Sequence, residues 1–468
     1  MKIAVSLKIF LLGLLTVTLS SCLVTKKYQR PENLAGDQLF RTDDSLRDAD
    51  NFADMPWEQV FSDSILQDHI RHALDSNFDI RIALENIRSA AVYLEQAKSG
   101  FYPTASLGAS ASYQTQSLNT QFGKIVGTRN HLVQYELSGS LSWEADIWGK
   151  ISSQKKAALA VYLGTQAAQQ AVRSRLVAGI ADAYYRLLSL DAQQEVLQEA
   201  VTARQQGLEA AKALKASGAL TEVAVRQNEA QVLNAQAQLL NTGQQTRIWE
   251  NALSLMMGEE PAPVMRSSLA EQHTPGEMAV GIPYQLLSNR PDVQAAEYDL
   301  VNAFELTNVA RAGFYPALRI TAGGGLQSVD FDKLFNIQSL FANAVGSLTQ
   351  PLWNQRQIRS QYEVRLSQQQ VAYLNYRKTI LTAGREVADA LYDYQVQDQL
   401  FYLKQQEYRA LDTATIYSED LMNYGLANYL EVLTARQNAL NARLGSIDAA
   451  YGRLSAVVEL YRALGGGR

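Results

Sequence analysis

The sequence predicts a mainly α-helical, internally duplicated chain whose four β-strands contribute to a membrane β-barrel. Three observations support this fold class. No proline falls between Pro103 and Pro261 or after Pro351, and such gaps favour long helices because proline breaks helix interiors. Short segments alternate apolar and polar residues, which is typical of strands with one apolar face. These segments occur in the same order in both halves of the chain.

The composition limits the class of protein. Of the 468 residues, 47% are apolar and 19% are charged, and the formal net charge is −5. This acidic balance argues against a nucleic-acid-binding protein, which would normally carry a basic face. Beyond the N-terminal stretch, no apolar run approaches the ~20 residues of a membrane-spanning helix. If the chain crosses a membrane, we therefore expect strands to do so.

The N-terminus has the pattern of a secretion signal, which we place at residues 1–21. Two lysines accompany the apolar stretch Ile9–Leu19, which ends at Ser20-Ser21-Cys22. Cys22 is the only cysteine, so it cannot form an internal disulfide, and one interpretation is a buried free thiol. Its position after small residues instead resembles the bacterial lipobox, in which the thiol is lipidated. Because Leu23 and not an aspartate follows, we expect sorting to the outer membrane.

The duplication is visible in short motifs that return in the second half. The pairs are Gly100-Phe101-Tyr102-Pro103 with Gly313-Phe314-Tyr315-Pro316, Asp146-Ile147-Trp148-Gly149 with Pro351-Leu352-Trp353-Asn354, Asp182-Ala183-Tyr184-Tyr185 with Asp389-Ala390-Leu391-Tyr392, and Gly218 with Gly425. A single long repeat indicates one duplicated unit and not a tandem solenoid.

The alternating segments predict one β-hairpin in each unit. The apolar positions are Ala105, Leu107, Ala109, Ala111 and Tyr113, then Val133, Tyr135, Leu137, Leu141 and Trp143, then Leu318, Ile320, Ala322 and Leu326, with a return strand near Leu340 to Gln350. Each strand has about ten residues, the length of a tilted membrane strand. Aromatic residues at the strand ends suit a membrane girdle: Tyr102, Trp143, Trp148, Phe314, Tyr315 and Trp353. The edge of a soluble sandwich is the alternative interpretation.

The remaining segments have helical periodicity. From Leu176 to Ala211, apolar residues recur in steps of four and three, with Gln194 and Arg204 as polar members, and this repeat predicts a coiled-coil seam. We expect the stem of Arg204 to lie along an apolar surface. The predicted helix from Gly149 to Ala216 would be roughly 100 Å long. A second long helix, from Gln355 to Asn423, has a similar length, and a glycine follows each.

Four strands cannot close a barrel, and open strand edges are not tolerated in lipid. The chain must therefore share its barrel with copies of itself. Two copies would give eight strands and three would give twelve, both within the range of known barrels. The composition of the chain does not distinguish a dimer from a trimer.

Three sets of motifs are specific: Trp57, Phe61-Ser62-Asp63, Leu66, Ala73-Leu74 and Asn77; the two Phe-Tyr-Pro turns; and the segment Gly281-Ile282-Pro283, Leu286-Leu287, Asn289-Arg290-Pro291-Asp292-Val293 and Ala295-Ala296-Glu297. With these motifs the chain resembles an outer membrane factor of the TolC type, in the lipoprotein subfamily that serves resistance-nodulation-division (RND) pumps. The resemblance covers essentially the whole chain after the signal.

The resemblance implies a homotrimer with a twelve-stranded barrel in the outer membrane and a coiled-coil helical tunnel in the periplasm. It implies two partners besides outer-membrane lipid, a periplasmic adaptor and an RND inner-membrane transporter. The predicted parts are the signal peptide (1–21), an N-terminal segment with the first helix (22–100), the first hairpin (101–148), the first long helix with its return helix (149–257), an equatorial linker (258–288), the helix of the second repeat (289–315), the second hairpin (316–353), and the second long helix with its return helix (354–468).

The resemblance also implies which residues contact the adaptor and which narrow the aperture at the periplasmic end. The tips that would contact the adaptor are Gly218, Ala219, Leu220 and Thr221, together with Tyr424, Gly425, Leu426 and Ala427. Acidic rings narrow the aperture in the family, and the candidates here are Glu431, Glu419 and Asp420. Three copies of Glu431 would favour cations. The alternative role for Glu431 is to complement the positive end of its helix.

No catalytic motif is present, and we expect neither enzymatic activity nor a cofactor. His69 and His72 share a helix face, but this spacing without further ligands is a weak metal signal. Two functions remain beside the efflux channel for drugs, amphiphiles or metal ions. One is an outer-membrane duct for type I protein secretion, and the other is a structural coiled-coil lipoprotein. The sequence does not identify the exported substrate.

Overall fold

The computed structural model describes residues 24–32, 34, 52–129, 131–274 and 289–467. The chain divides into two compact units. The first unit contains the segment up to Pro31, Arg88–Gly164 and Glu297–Asn375. The second contains Glu32–Ile87, Thr165–Ala296 and Tyr376–Arg468. Cys22 and the predicted signal peptide lie outside the described residues, as do residues 275–288 of the predicted linker.

The secondary structure repeats one pattern twice, a helix followed by a strand pair and two long helices. In chain order the elements are α1 (Trp57–Val60), α2 (Ser64–Ser76), α3 (Phe78–Ser99), β1 (Thr104–Thr115), α4 (Gln121–Val126), β2 (His131–Glu144), α5 (Lys150–Ala216), α6 (Glu222–Met256), α7 (Pro291–Ala312), β3 (Ala317–Ser328), β4 (Leu340–Thr349), α8 (Gln357–Asn423) and α9 (Tyr429–Ala463). Short 3-10 turns lie at Phe52–Asp54, Leu269–Glu271, Phe331–Lys333 and Ile337–Ser339. Among the described residues, no helix combines the length and the apolar composition that crossing a membrane requires.

The first unit is built on an antiparallel sheet of four strands in the order β1-β2-β3-β4. The register aligns Ala109 with Leu137, and Leu137 with Leu326. Leu326 in turn aligns with Leu340 on β4. Because side chains alternate between the faces of a strand, this register places the predicted apolar residues of all four strands on one face. β1 and β4 are the edges of the sheet, and neither has a second partner strand in the described part of the chain.

Tryptophan and aspartate side chains fix the ends of the strands. The Trp143 indole donates to the Phe101 carbonyl at 2.9 Å, and the Trp148 indole donates to the Pro316 carbonyl at 2.7 Å. These bonds tie β2 and the following turn to the two Phe-Tyr-Pro turns. The Asp146 carboxylate accepts from the first free amides of α5, including that of Ile151 at 2.8 Å. The aspartate therefore starts the long helix where the strand ends.

The second unit is held together by a core of aromatic and branched residues. Its largest fully buried side chains include Phe61, Tyr184 and Tyr461, and the Phe61 and Tyr461 rings meet edge to face with centroids 5.9 Å apart. Three residues of the predicted seam of α5 belong to this core: Ile180, Ala183 and Leu187. Further along the helix the seam residues Leu190, Leu197, Val201 and Ala211 are buried as well. Most seam residues are therefore buried as predicted, although most of the other residues between Val177 and Leu190 are also buried.

Candidate functional site

Tight turns at Gly218 and Gly425 join the paired long helices of the two repeats. Both glycines lie in the left-handed region, with φ of +80° and +71°, where a residue with a Cβ is disfavoured. The Ala219 amide donates to the Leu214 carbonyl at 2.9 Å, and the second turn repeats this bond at 2.8 Å. This is the Schellman arrangement, which satisfies carbonyls that a helix end leaves free. Turn formation is thus one role of both predicted tips.

The return helices begin with capping side chains. The Thr221 hydroxyl accepts from the Ala224 amide at 3.4 Å, and the Asn428 side chain accepts from the Glu431 amide at 2.9 Å. Glu431 reciprocates, because its carboxylate accepts from the Asn428 amide at 3.2 Å. This capping box satisfies two amides at the start of α9. Within the chain, Glu431 therefore has the helix-start role that the sequence analysis gave as its alternative.

The other two aperture candidates lie on the last turns of α8. The Glu419 carboxylate pairs with the Arg436 guanidinium of α9 at 2.7 Å. Asp420 is exposed. A carboxylate paired within its own chain contributes less to a long-range field than an unpaired one. Of the two, Asp420 would therefore contribute more to the negative field of an acidic aperture.

The two tips differ in chemistry although their backbones match. At the first tip, Glu222 pairs with Lys215 and, at 2.9 Å, with Arg226. The hydrogen bond from Lys215 lowers the pKa of the Glu222 carboxyl. At the second tip, Tyr424 and Leu426 are 81% and 75% exposed. Both tips therefore have paired charges beside them, and the second also exposes a tyrosine and a leucine at the turn itself.

Arg204 joins three helices of the second unit. Its guanidinium donates to the Gln231 carbonyl of α6 at 2.8 Å and to the Gln437 side chain of α9 at 2.7 Å. Burial lowers the pKa of Arg204. We expected the aliphatic stem of Arg204 to lie along an apolar surface, and its guanidinium in addition bonds both neighbouring helices, which explains why an arginine is accepted in the seam.

Asp63, part of the Phe61-Ser62-Asp63 motif, is the centre of a hydrogen-bond network. One carboxylate oxygen caps α2 by accepting from the Ile65 amide at 2.8 Å. The other accepts from the Tyr184 hydroxyl at 2.8 Å, from Gln272 at 2.9 Å and from the Ser267 hydroxyl. Burial raises the pKa of Asp63, but these hydrogen bonds outweigh it and the net pKa is lowered. The network ties the described part of the linker to α2 and α5.

We expect the Asp63 network to weaken in acid. Because its pKa is lower in the folded than in the unfolded chain, Asp63 contributes full stability above the unfolded value of about 4 and loses it as pH falls through the folded value. Replacing Asp63→Ala should lower the free energy of unfolding by about 1–2 kcal/mol at neutral pH, the usual cost of losing a helix cap. Denaturant unfolding followed by circular dichroism should show this difference shrinking below about pH 4.

The matched control for Asp63→Ala is Asp68→Ala, on the exposed side of the same helix. Asp68 pairs with Arg71 at 2.7 Å, and both side chains are more than half exposed. Exposed pairs of this kind contribute little. A deficit for Asp63→Ala that stays constant from neutral to acid pH would contradict the role assigned to its carboxylate.

The Arg290-Pro291-Asp292 motif forms an ionic cluster around a buried arginine. The Arg290 guanidinium binds the Asp292 carboxylate at 2.6 and 3.0 Å and the Glu386 carboxylate at 2.9 Å. It also donates to the Ala463 carbonyl, near the end of α9, at 3.0 Å. Arg290 is 4% exposed. The motif that carried the family resemblance therefore binds α8 and α9 to the start of α7.

The described part of the linker has a further anchor that sequence reasoning missed. The Arg266 guanidinium binds the Asp191 carboxylate of α5 at 2.5 and 2.9 Å and the Glu250 carboxylate of α6 at 2.7 Å. These hydrogen bonds raise the pKa of Arg266, that from Asp191 most. Nothing in the local sequence indicates this cluster, because its members are far apart along the chain.

The two candidate histidines have separate partners. His69 Nε2 lies 2.8 Å from the Met265 carbonyl oxygen, and His72 Nε2 lies 2.9 Å from the Glu259 carboxylate. Both contacts join α2 to the linker. In the described ranges, no group of three or more histidine, cysteine or carboxylate side chains is placed to hold a metal ion.

Comparisons with known proteins agree with this architecture. Residues 69–259 and 282–466 match the family model described as outer membrane efflux protein. The cation efflux system protein CusC of Escherichia coli is 26% identical over 453 residues, which cover 96% of this chain and 97% of that protein. The solvent efflux pump outer membrane protein SrpC of Pseudomonas putida is 29% identical over 425 residues, 88% of this chain and 87% of SrpC.

A solved structure extends the likeness to the fold. The CmeC outer membrane channel of Campylobacter jejuni superposes with a TM-score of 0.86 at 21% identity, covering 95% of each chain. The predicted resemblance to TolC-type channels is thereby confirmed, as is the predicted mainly helical fold with four antiparallel strands. Because these relatives are efflux proteins, the expectation that the chain is not an enzyme is confirmed as well.

Proposed function

Because the chain belongs to the outer membrane efflux protein family, we propose that three copies of it form the exit channel of a tripartite pump for small molecules. The chain is an outer-membrane efflux protein, as the sequence predicted. Beyond this, we propose that the channel is a trimer, that it docks to an adaptor and an inner-membrane pump, and that its cargo is a small molecule. The observation that carries the proposal is the two-faced sheet whose edge strands, β1 and β4, lack a second partner in the described residues.

The sheet supports a barrel that is shared between copies. Unpaired strand edges carry backbone groups that lipid cannot satisfy, so β1 of one copy must pair with β4 of the next. The apolar face of the sheet would then meet lipid, and the polar face would line the interior. The number of copies rests on the family resemblance, which implies three and hence twelve strands.

The proposed partners are an inner-membrane transporter, which a passive exit channel needs as its energy source, and a periplasmic adaptor, which the exposed tips would contact. An exit channel has no energy source of its own, so an inner-membrane transporter must drive export, and a periplasmic adaptor must bridge the two. The second tip supports an adaptor contact, because Tyr424 and Leu426 present exposed apolar surface there. We assign the adaptor contact to Gly218–Thr221 and Tyr424–Ala427, and the inner-membrane pump to the RND class.

The proposed cargo is a small molecule of one of the classes that relatives export. CusC is named for cation efflux and SrpC for solvent efflux. Both relatives are less than 30% identical to this chain, so neither substrate can be assigned to it from the similarity alone. Type I protein secretion is the alternative function.

A clean deletion strain separates these functions. We expect it to accumulate a fluorescent pump substrate or a metal ion in the cell, and we expect the wild-type chain supplied in trans to restore export. Secreted proteins are profiled in parallel. If a secreted protein disappears while dye and metal levels are unchanged, the efflux proposal is wrong and the secretion duct replaces it.

A further inference from the structure

The polar face of the sheet is lined mostly by neutral hydroxyl and amide side chains. From the strand register, these are Thr104, Ser106, Ser110, Ser112 and Gln114 on β1, Gln134, Ser138, Ser140 and Ser142 on β2, Thr321 and Gln327 on β3, and Asn343, Ser347 and Thr349 on β4. Such groups donate and accept hydrogen bonds, so they bind ions of either sign. Any charge preference of this face must come from its few ionisable residues.

The ionisable residues at the end of the sheet neutralise one another. Glu144 lies 2.8 Å from the Lys150 ammonium and 3.1 Å from the Arg319 guanidinium. Asp146, whose carboxylate accepts from the Ile151 and Ser152 amides, adds a second acid at the same strand end, so the four formal charges there sum to zero. Opposite charges in contact leave little net field at a distance. This end of the face therefore does not select between cations and anions.

Glu136 is different, because it stands alone in the middle of β2. The register places it between Ser110 of β1 and Gln327 of β3, both of which are neutral. None of the ion pairs in the described part of the chain includes it. A carboxylate on the lipid side of a barrel is costly, which fits the assignment of this face to the interior. Each copy thus contributes one uncompensated negative charge there.

The trimer would place three such carboxylates at one level. Consecutive copies are four strands apart, which is about 19 Å along the wall for strands spaced by about 4.8 Å. The Debye length is about 8 Å at physiological ionic strength and about 3 Å at 1 M salt. The three fields therefore overlap within the interior in dilute salt and are screened in concentrated salt.

We propose that Glu136 makes the interior of the shared barrel favour cationic and neutral molecules over anions. This inference rests on the proposed function, since it requires three copies to enclose the polar face. It concerns the barrel and is independent of the acids at the tips, Glu431 and Asp420. The residue determines charge selectivity along the wall without binding a particular cargo.

The test is the reversal potential of the full-length protein in planar lipid bilayers under a KCl gradient. In salt below about 0.1 M, where the Debye length is about 10 Å or more, we expect the wild-type channel to favour potassium. Glu136→Gln should move the reversal potential towards zero, and Glu136→Lys should move it further, to the chloride side. Glu136→Asp should retain the wild-type value. At about 1 M salt the variants should converge because the charge is screened.

The control is Glu58→Gln, the same chemical change at an exposed acid in the other compact unit. It should leave the reversal potential unchanged. If the wild-type channel conducts and Glu136→Gln has the same reversal potential in dilute salt, the inference about Glu136 is wrong while the channel function stands. If the assembled wild-type protein forms no conducting pore, the proposed channel fails, and the inference fails with it.

Discussion

Replacing Gly325→Ala is expected to abolish most of the heat-sensitive oligomer in the outer-membrane fraction. A Cβ at this position of β3 would lie 2.1 Å from the Leu137 carbonyl oxygen and 2.6 Å from the Ser138 Cα. Both obstacles are backbone atoms of β2, so no side-chain rotation relieves them. Overpacking of this kind typically costs about 1–3 kcal/mol, and here relief requires β2 and β3 to move apart.

The matched control is Gly139→Ala on the inner strand β2, which pairs on both sides within the chain. A Cβ there would lie 3.7 Å from the Ser106 carbonyl oxygen and 4.0 Å from the Gly324 carbonyl oxygen, both ordinary contacts. Electrophoresis of unheated and heated samples should show normal oligomer for Gly139→Ala and mostly monomer for Gly325→Ala. Equal oligomer yields from the two variants would contradict the close approach of β2 and β3 at this level.

The strands and long helices were predictable because their periodicities are local. The return strand expected near Leu340 to Gln350 is β4, Leu340–Thr349. The first long helix, expected over Gly149–Ala216, begins one residue later, because Gly149 adopts a φ of +71° outside the helix. A period of two or of 3.5 residues depends only on which face is buried, so it is legible in the sequence.

The ionic clusters were not predictable because they join residues that are distant in sequence. Arg290 was recognised as part of a motif, but its partner Glu386 lies on another helix. Asp63 was likewise recognised without Ser267 or Gln272. No periodicity encodes such pairs, and each needs the fold to bring its members together. The motifs therefore identified the family correctly while their physical roles were found only in the structure.

Glu431 has two predicted roles, and the capping box with Asn428 accounts for one of them. The second role, a ring around the channel axis, depends on distances between copies. The two roles are compatible, because a capping carboxylate remains exposed and charged. The aperture role of Glu431 therefore stays a prediction.

The ionic cluster around the buried Arg290 provides the second large expected effect. Arg290→Ala would leave the Asp292 and Glu386 carboxylates without the guanidinium that now lies between them. Arg462, 3.4 Å from Glu386, would be the remaining cation in contact. Removing one partner of a fully buried ion pair typically costs about 3–5 kcal/mol, because the other charge stays buried and uncompensated. The Asp292 and Glu386 side chains are 41% and 22% exposed, so water stabilises them in part and the expected cost lies below that range. We expect the variant to unfold at markedly lower denaturant concentration or to be degraded before assembly.

Two further variants separate this role from a general sensitivity to lost charge. Arg290→Lys keeps the charge but lacks the planar fork that binds Asp292 through two nitrogens, so we expect partial loss of stability. Arg385→Ala removes the neighbouring arginine of α8, whose pair with Asp389 at 3.0 Å is largely exposed, and should cost about 0–1 kcal/mol. Denaturant midpoints of the purified oligomers should follow the order wild type and Arg385→Ala, then Arg290→Lys, then Arg290→Ala. If Arg290→Ala instead matched Arg385→Ala, the cluster would not stabilise the fold, and the motif would have to be explained by contacts between copies.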